Sequence, residues 1–183
     1  SPYIDIDPFD CSSPFAIEIY FDWYSFVRSG RVFDFGITNS EGNETTNNSF
    51  IFRRHDDYNR FTWELQSNNG GYITVPEDSE KPSLNIHTWY HFIISIDENG
   101  TQEVYWNGNR IQQVTGNHNI QYEFDTNTRN VLRLGRSMYN EAGTPMNVRY
   151  FRFFDSGITE SDAQSLYLTR DIIDLPNYVI PQP

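Results

Sequence analysis

Apolar and polar residues alternate along most of this chain with the two-residue period of half-buried strands. The clearest case is residues 15–24. Phe15, Ile17, Ile19, Phe21 and Trp23 point one way, and Ala16, Glu18, Tyr20, Asp22 and Tyr24 the other. The stretch TWYHFIISIDENGTQEVYWNGNRI, residues 88–111, reads as strands 89–97 and 102–106 followed by the start of a third, 110–114. In it Ile94, Ile96, Val104 and Trp106 hold alternating positions. Asp97-Glu98-Asn99-Gly100 and Asn107-Gly108-Asn109 are the turns, and Asn-Gly is a strong hairpin signal because both residues accept positive φ. Further strands are predicted over 3–7, 31–38, 49–54, 60–66, 71–75, 131–135 and 148–154. Residues 39–48 (NSEGNETTNN), 76–85, 116–130 and 137–146 lack apolar periodicity and read as connections.

One helix is predicted, over 160–169. Thr159 is its N-cap, and Asp162 at the third helical position completes an approximate capping box and complements the helix dipole. Ala163, Leu166 and Tyr167 form an apolar stripe at i, i+3 and i+4. Residues 175–183 read as an extended tail. Ten or more short strands with frequent turn signals and one terminal helix make the fold class all-β. The architecture is an antiparallel two-sheet β-sandwich, a jelly roll, with a short C-terminal helix, spanning 1–183 as a single domain.

Composition narrows the partners. With 183 residues the chain is long enough to bury a core of its own. Its 14 Phe, 12 Tyr and 4 Trp suit strand interiors and sugar-binding surfaces alike. The net charge of −12 repels phosphate backbones and argues against nucleic acid, while leaving a divalent cation acceptable. Cys11 is the single cysteine and cannot close an internal disulfide. Sequons at Asn43, Asn47 and Asn99 would carry glycans only in a eukaryotic secretory setting. No apolar run approaches the ~18 residues of a membrane span, so no membrane insertion is expected. The start at Ser1-Pro2-Tyr3 suggests a mature form or an excised domain.

Three blocks, in order, resemble a known family. The first is FAIEIYFDW from Phe15, similar to the family's FTISFWVKW strand, followed by Arg31-Val-Phe-Asp-Phe-Gly. The second is TWYHFIISID from Thr88 with Val104-Tyr-Trp-Asn-Gly-Asn, similar to WYHVAVTYD…LYVNG. The third is Leu132-Arg-Leu-Gly-Arg, then residues 148–154, then Ile158-Thr-Glu-Ser-Asp-Ala-Gln-Ser-Leu-Tyr, similar to LRIGR…VRIYNRALSAEEIQALY. By these blocks the chain resembles the laminin-G-like, concanavalin-A-like jelly-roll domains. It departs from them at Val148-Arg149-Tyr150, where acidic residues are frequent, and at Trp106, where the family has valine. The resemblance implies two sheets with a groove or rim for ligands. It also implies glycan, polysaccharide or protein partners, often a calcium ion at the rim, and an extracellular, cell-surface or virion-surface setting. Fold alone does not choose among these.

The residues allow three functional classes. A non-catalytic binding module, carbohydrate first, would use Tyr20 and Tyr24 on the strand face away from Ile17, provided that face is exposed. Loop-tip Tyr58, Tyr139 and Tyr72 would join them, with Trp63 and Trp106 either in the platform or in the core. Arg53 and its neighbour Arg54, like Arg133 and Arg136, would contact acidic sugars or else pair locally with carboxylates. Calcium would draw on Asp34, on Asp56 with Asp57, and on Asp125 with Asn127, residues that equally fill turns. The second class is a structural or protein-interaction component of a coat or surface assembly. The third is a glycoside hydrolase or polysaccharide lyase. Retaining hydrolysis needs two carboxyl groups ~5 Å apart, and Glu18 and Asp22 lie ~13 Å apart along one strand. Ile4-Asp-Ile-Asp has no glutamate, His55, His87, His91 and His118 show no zinc spacing, and no GxSxG elbow exists. The expectation is therefore no enzyme.

Overall fold

A computed structural model describes residues 4–5, 14–38, 44–54, 61–66, 72–75, 83–114, 131–137 and 143–172, with backbone alone at 37–38, 44–48, 65–66, 72–75 and 114. Among them, β1 (Ile4–Asp5), β10 (Val131–Leu134), β3 (Arg31–Thr38), β4 (Glu44–Arg54), β5 (Phe61–Gln66) and β6 (Tyr72–Val75) form one antiparallel sheet in that spatial order. The second sheet runs β11 (Met146–Phe154), β2 (Phe15–Trp23), β7 (Trp89–Ile96), β8 (Gln102–Trp106) and β9 (Asn109–Val114). The single described helix, α1 (Glu160–Thr169), follows β11.

The core lies where alternation placed it. Phe15, Ile17, Ile19, Phe21 and Trp23 of β2 and Tyr90, Phe92, Ile94 and Ile96 of β7 face Phe33, Phe35, Phe50, Phe52, Phe61 and Trp63 of the other sheet. The packing is largely ring on ring: Phe52 stacks on Phe92 with centroids 4.0 Å apart, and Trp106 stacks on Phe61 at 4.6 Å. Such pairs add specific edge and stacking contacts to their area burial.

The sequence reading differs at one segment. Residues 44–48, read as loop for lack of apolar periodicity, are the first rungs of β4, pairing Glu44 with Thr38 and Thr45 with Ile37. An irregularity in the register lies between Phe35 and Ile37. A polar stretch can extend a strand because backbone pairing does not need apolar side chains.

The hairpin turn between β8 and β9 has Asn107 at φ 51° and Gly108 at φ 79°, the two positive values a type I′ turn requires. Its position matters, because a Cβ on Gly108 would lie 2.9 Å from Cβ of Tyr167. The helix packs directly on this turn. The capping box forms as predicted: Oγ1 of Thr159 accepts from the Asp162 N–H, and Oδ2 of Asp162 accepts from the Thr159 N–H at 3.1 Å.

Candidate functional site

The outer face of the β11-β2-β7-β8-β9 sheet is read in rungs across β11, β2 and β7. The first rung is Phe154, Ala16 and Ser95; the next is Arg152, Glu18 and Ile93; then come Tyr150, Tyr20 and His91, and last Asn147, Asp22 and Trp89. Helix α1 roofs the first rungs. Ala16, Ile93 and Tyr105 are buried with Ile158 and Ala163, and Leu166 and Phe154 pack against them. Tyr167 then reaches His91 with ring centroids 5.7 Å apart.

Under this roof lies a buried charged cluster. Glu18 and His91 are both fully inaccessible. Nε2 of His91 lies 2.6 Å from Oε1 of Glu18, and Nη2 of Arg152 lies 2.7 Å from Oε1 and 2.5 Å from Oε2. The Tyr150 hydroxyl donates to Oε1 at 3.2 Å. Burial by itself would raise the Glu18 carboxyl, but the His91 and Arg152 hydrogen bonds and the Arg152 charge outweigh it and hold it below its ordinary value. The carboxylate is thus ionised, and Nε2 of His91 carries the proton between them. Burial, then the Glu18 charge, pushes the Tyr150 hydroxyl well above the usual tyrosine value.

The last rung is open. Trp89 is 39% exposed and Tyr24, just beyond β2, is 63% exposed. Asp22 lies between β11 and β7, and its Oδ1 accepts from Nδ2 of Asn147 at 2.7 Å. Tyr20 supports Trp89 from below, with ring centroids 5.0 Å apart. His87 sits at φ 55° in the turn before β7, anchored by its N–H to the Trp23 carbonyl at 2.8 Å, and its ring meets Tyr24 edge-on at 5.1 Å. The Tyr24 N–H donates to the Pro145 carbonyl at 2.9 Å. Two exposed rings beside an amide–carboxylate pair, all on fixed backbone, form a platform suited to stacking on a sugar's C–H face while its hydroxyls are bonded. The exit of α1 borders it: Arg149 Nη1 lies 2.9 Å from Oδ1 of Asp171, and the Tyr20 hydroxyl donates to the same oxygen at 3.4 Å.

A second concavity, about 430 Å3, occupies the opposite end of the face at the start of α1. Arg110 there bridges Glu103 at 2.8 Å and Glu160 at 3.6 Å, and Gln113 donates to Glu103 at 2.9 Å. This is a pair of carboxylates in a cleft, but the guanidinium fills the space between them.

The candidates from the sequence separate clearly. Tyr24 is on the platform. Tyr20 is 6% exposed and supports the site from beneath, because Trp89, Tyr150 and Asp171 cover it. Trp63 is fully buried in the core, its Nε1 donating to Gln102 Oε1 at 3.4 Å, and it offers no ring face to a ligand. Trp106 is likewise core. Arg53 lies on the other sheet, donating to Oε1 of Glu64 at 2.7 Å and to Ser29 at 3.2 Å, the local pairing that was its alternative reading. Asp34 is fully buried with Nε of Arg31 at 3.3 Å, an ion pair inside the fold rather than a rim ligand. Tyr58, Tyr139, Asp56, Asp57 and Asp125 lie outside the described residues. Among the described residues, no three His, Cys, Asp or Glu stand together as a metal site. Trp89, exposed on the platform, was not among the sequence candidates. Alternation in WYHFIISI already set it with His91, on the face away from Tyr90 and Phe92.

Several solved structures share the fold. Domain 4 of an extracellular arabinanase from Geobacillus stearothermophilus, in complex with arabinotriose, superposes with a TM-score of 0.69 at 14% identity, over 90% of this chain and 72% of that one. The CBM40 of the Ruminococcus gnavus IT-sialidase gives 0.61 at 14% identity, over 91% of this chain and 97% of that one. The binding domain of botulinum neurotoxin DC, in complex with rat synaptotagmin II, gives 0.59 at 16% identity, over 87% of this chain but only 36% of that one. Among the described residues no helix is long and apolar enough to cross a membrane, which says nothing of a β-barrel. No curated protein sequence is similar to this one at a significant level. The sequence profile of the Concanavalin A-like lectin/glucanases superfamily matches residues 1–164, and this chain belongs to that family.

Proposed function

We propose that this chain is a non-catalytic carbohydrate-recognition module acting outside the cell. The observation that carries the reading is the exposed Trp89 and Tyr24 pair beside the Asp22–Asn147 hydrogen bond, on the uncovered rung of a rigid sheet. The fold relatives include a domain solved with arabinotriose and a carbohydrate-binding module, which supports the same class. Calcium assistance belongs to this proposal through Asp56, Asp57 and Asp125. Among the described residues, a glycanase reading finds a carboxylate pair in the Glu103–Arg110–Glu160 cleft, where the intervening arginine occupies the space a scissile bond would need.

A glycan array probed with the wild-type chain and with Trp89→Ala, each with and without chelator, tests the reading. Wild type binds a defined set of glycans, and Trp89→Ala loses about tenfold or more in affinity, as removal of a stacking anchor at a binding centre does. Absence of any glycan bound under either condition overturns it. A second reading, protein interaction, draws on exposed Ile86, Leu168 and Ile172 and on the toxin domain solved with synaptotagmin. Pull-down by a protein partner that survives Trp89→Ala would favour it.

A further inference from the structure

We infer that the Trp89–Tyr24 platform is selective for uncharged glycans and rejects sugars carrying carboxylate or sulfate groups. This deepens the carbohydrate reading and rests on it. The charge around the platform decides it. Asp22 is 6% exposed and lies in the rung directly beside Trp89; its partner among the described residues is the neutral amide of Asn147. An anion stacked on Trp89 would therefore sit within a few ångströms of a carboxylate that has no cation as ion-pair partner among the described residues, in a half-buried setting where solvent screens poorly.

Among the described residues, the arginines that border the platform are engaged elsewhere. Arg149 Nη1 is bound to Oδ1 of Asp171 at 2.9 Å, and its guanidinium lies 5.8 Å from the centre of the Tyr20 ring. Arg170 stacks on Tyr167 at 3.9 Å, donates to the Tyr167 carbonyl at 2.5 Å and lies 3.6 Å from Oδ2 of Asp171. A site for acidic sugars usually presents a guanidinium fork free for bidentate contact. Here the forks serve to hold the end of α1 against the sheet. The whole-chain charge of −12 acts in the same direction at long range.

The groups that do face the ligand suit hydroxyls. The exposed Asn147 amide donates and accepts, the exposed rings supply apolar faces, and the buried Asp22 carboxylate holds the amide in place and sets the local charge. Tyr24, just beyond the end of β2, and Trp89, at the start of β7, offer two separate exposed rings, which suits successive units of a chain.

The test is a glycan array built from matched pairs, each neutral oligosaccharide printed beside its uronate, sialylated or sulfated counterpart. It is probed with wild type, Trp89→Ala and Asp171→Asn. Wild type should bind neutral members about tenfold or more tightly than their charged counterparts. Asp171→Asn, which removes the carboxylate charge beside Arg149 and Arg170, should narrow or reverse that preference. Charged members bound as well as or better than neutral ones by wild type overturn the selectivity while leaving the carbohydrate reading intact. Binding that ignores Trp89→Ala, or no binding at all, overturns the carbohydrate reading itself.

Discussion

Replacing Glu18 by glutamine should destabilise the fold by about 3 kcal/mol at neutral pH. The side chain is fully buried and takes hydrogen bonds from His91 at 2.6 Å, Arg152 at 2.7 Å and Tyr150 at 3.2 Å. Removing one partner of a buried ion pair typically costs about 3–5 kcal/mol, because the other charge stays buried and unpaired. The low end applies here: the Arg152 side chain keeps 14% of its exposure, and the new amide oxygen still accepts one hydrogen bond. For a chain of this size about 3 kcal/mol corresponds to a fall in Tm of roughly 6–12 °C.

The pH dependence sharpens the test. The Glu18 carboxyl in the folded state lies below its ordinary value of 4.5, so its contribution is complete above that value and is lost as pH falls through the lower folded value. In acid the unfolded chain takes up a proton that the folded chain refuses. Urea denaturation at pH 7, 5, 4 and 3 should therefore show a wild-type advantage over Glu18→Gln that is constant above about pH 5 and shrinks below it. A difference under 1 kcal/mol at pH 7, or one that does not change down to pH 3, refutes the assignment of Glu18 as a buried, stabilised carboxylate.

Three further substitutions probe the scaffold. Gly108→Ala should cost about 2–4 kcal/mol, because the residue holds φ 79° and its Cβ would meet Tyr167; hydrogen exchange should show α1 losing protection first, and a uniform loss across both sheets would contradict the turn–helix contact. Thr159→Ala should cost about 1 kcal/mol in chemical denaturation through loss of the capping box, and no measurable change would mean that the cap contributes nothing. Trp63→Ala should cost about 3–5 kcal/mol by leaving a cavity against Phe50 and Phe33, yet leave glycan affinity of the folded fraction unchanged; a loss of affinity in correctly folded protein would return Trp63 to the binding site.

Much of this architecture was legible in the residues. Alternation in 15–24 put Phe15 through Trp23 in the core and Glu18, Tyr20 and Asp22 on the other face, and the helix with its Thr159–Asp162 cap was readable from spacing alone. Burial of that other face was not legible. Period two tells which side a residue takes but not what covers the side. The roof over Glu18 and Tyr20 is a helix some 150 positions away, and Tyr20 meets it through Asp171. For the same reason a buried Asp34 looked like a ligand: the Arg31 that pairs with it is close in sequence, but burial of the pair is a property of the assembled sheet. Residues 44–48 were misread because strand prediction rests on side chains, whereas those rungs are held by backbone pairing with β3. Trp89, central to the proposed platform, was within reach, since its parity with His91 was already set.

The helix explains why the proposed platform lies at one end of the sheet. Its ten residues span about 15 Å, enough to roof the rungs of Ala16, Glu18 and Tyr20 but not that of Asp22. The middle rungs carry a buried charge cluster that must stay dry, so the roof there cannot be given up for a ligand. The last rung has no such demand. Trp89 is held in register opposite Asp22, and Tyr24 is tied through its N–H to Pro145, so both rings are exposed on backbone that is already ordered. A ligand landing there orders little that is mobile, which keeps the entropic cost of binding low. On the proposed reading, stability and recognition occupy different rungs of the same face: substitutions at Glu18 or His91 should act on folding, and those at Trp89 or Tyr24 on what is bound.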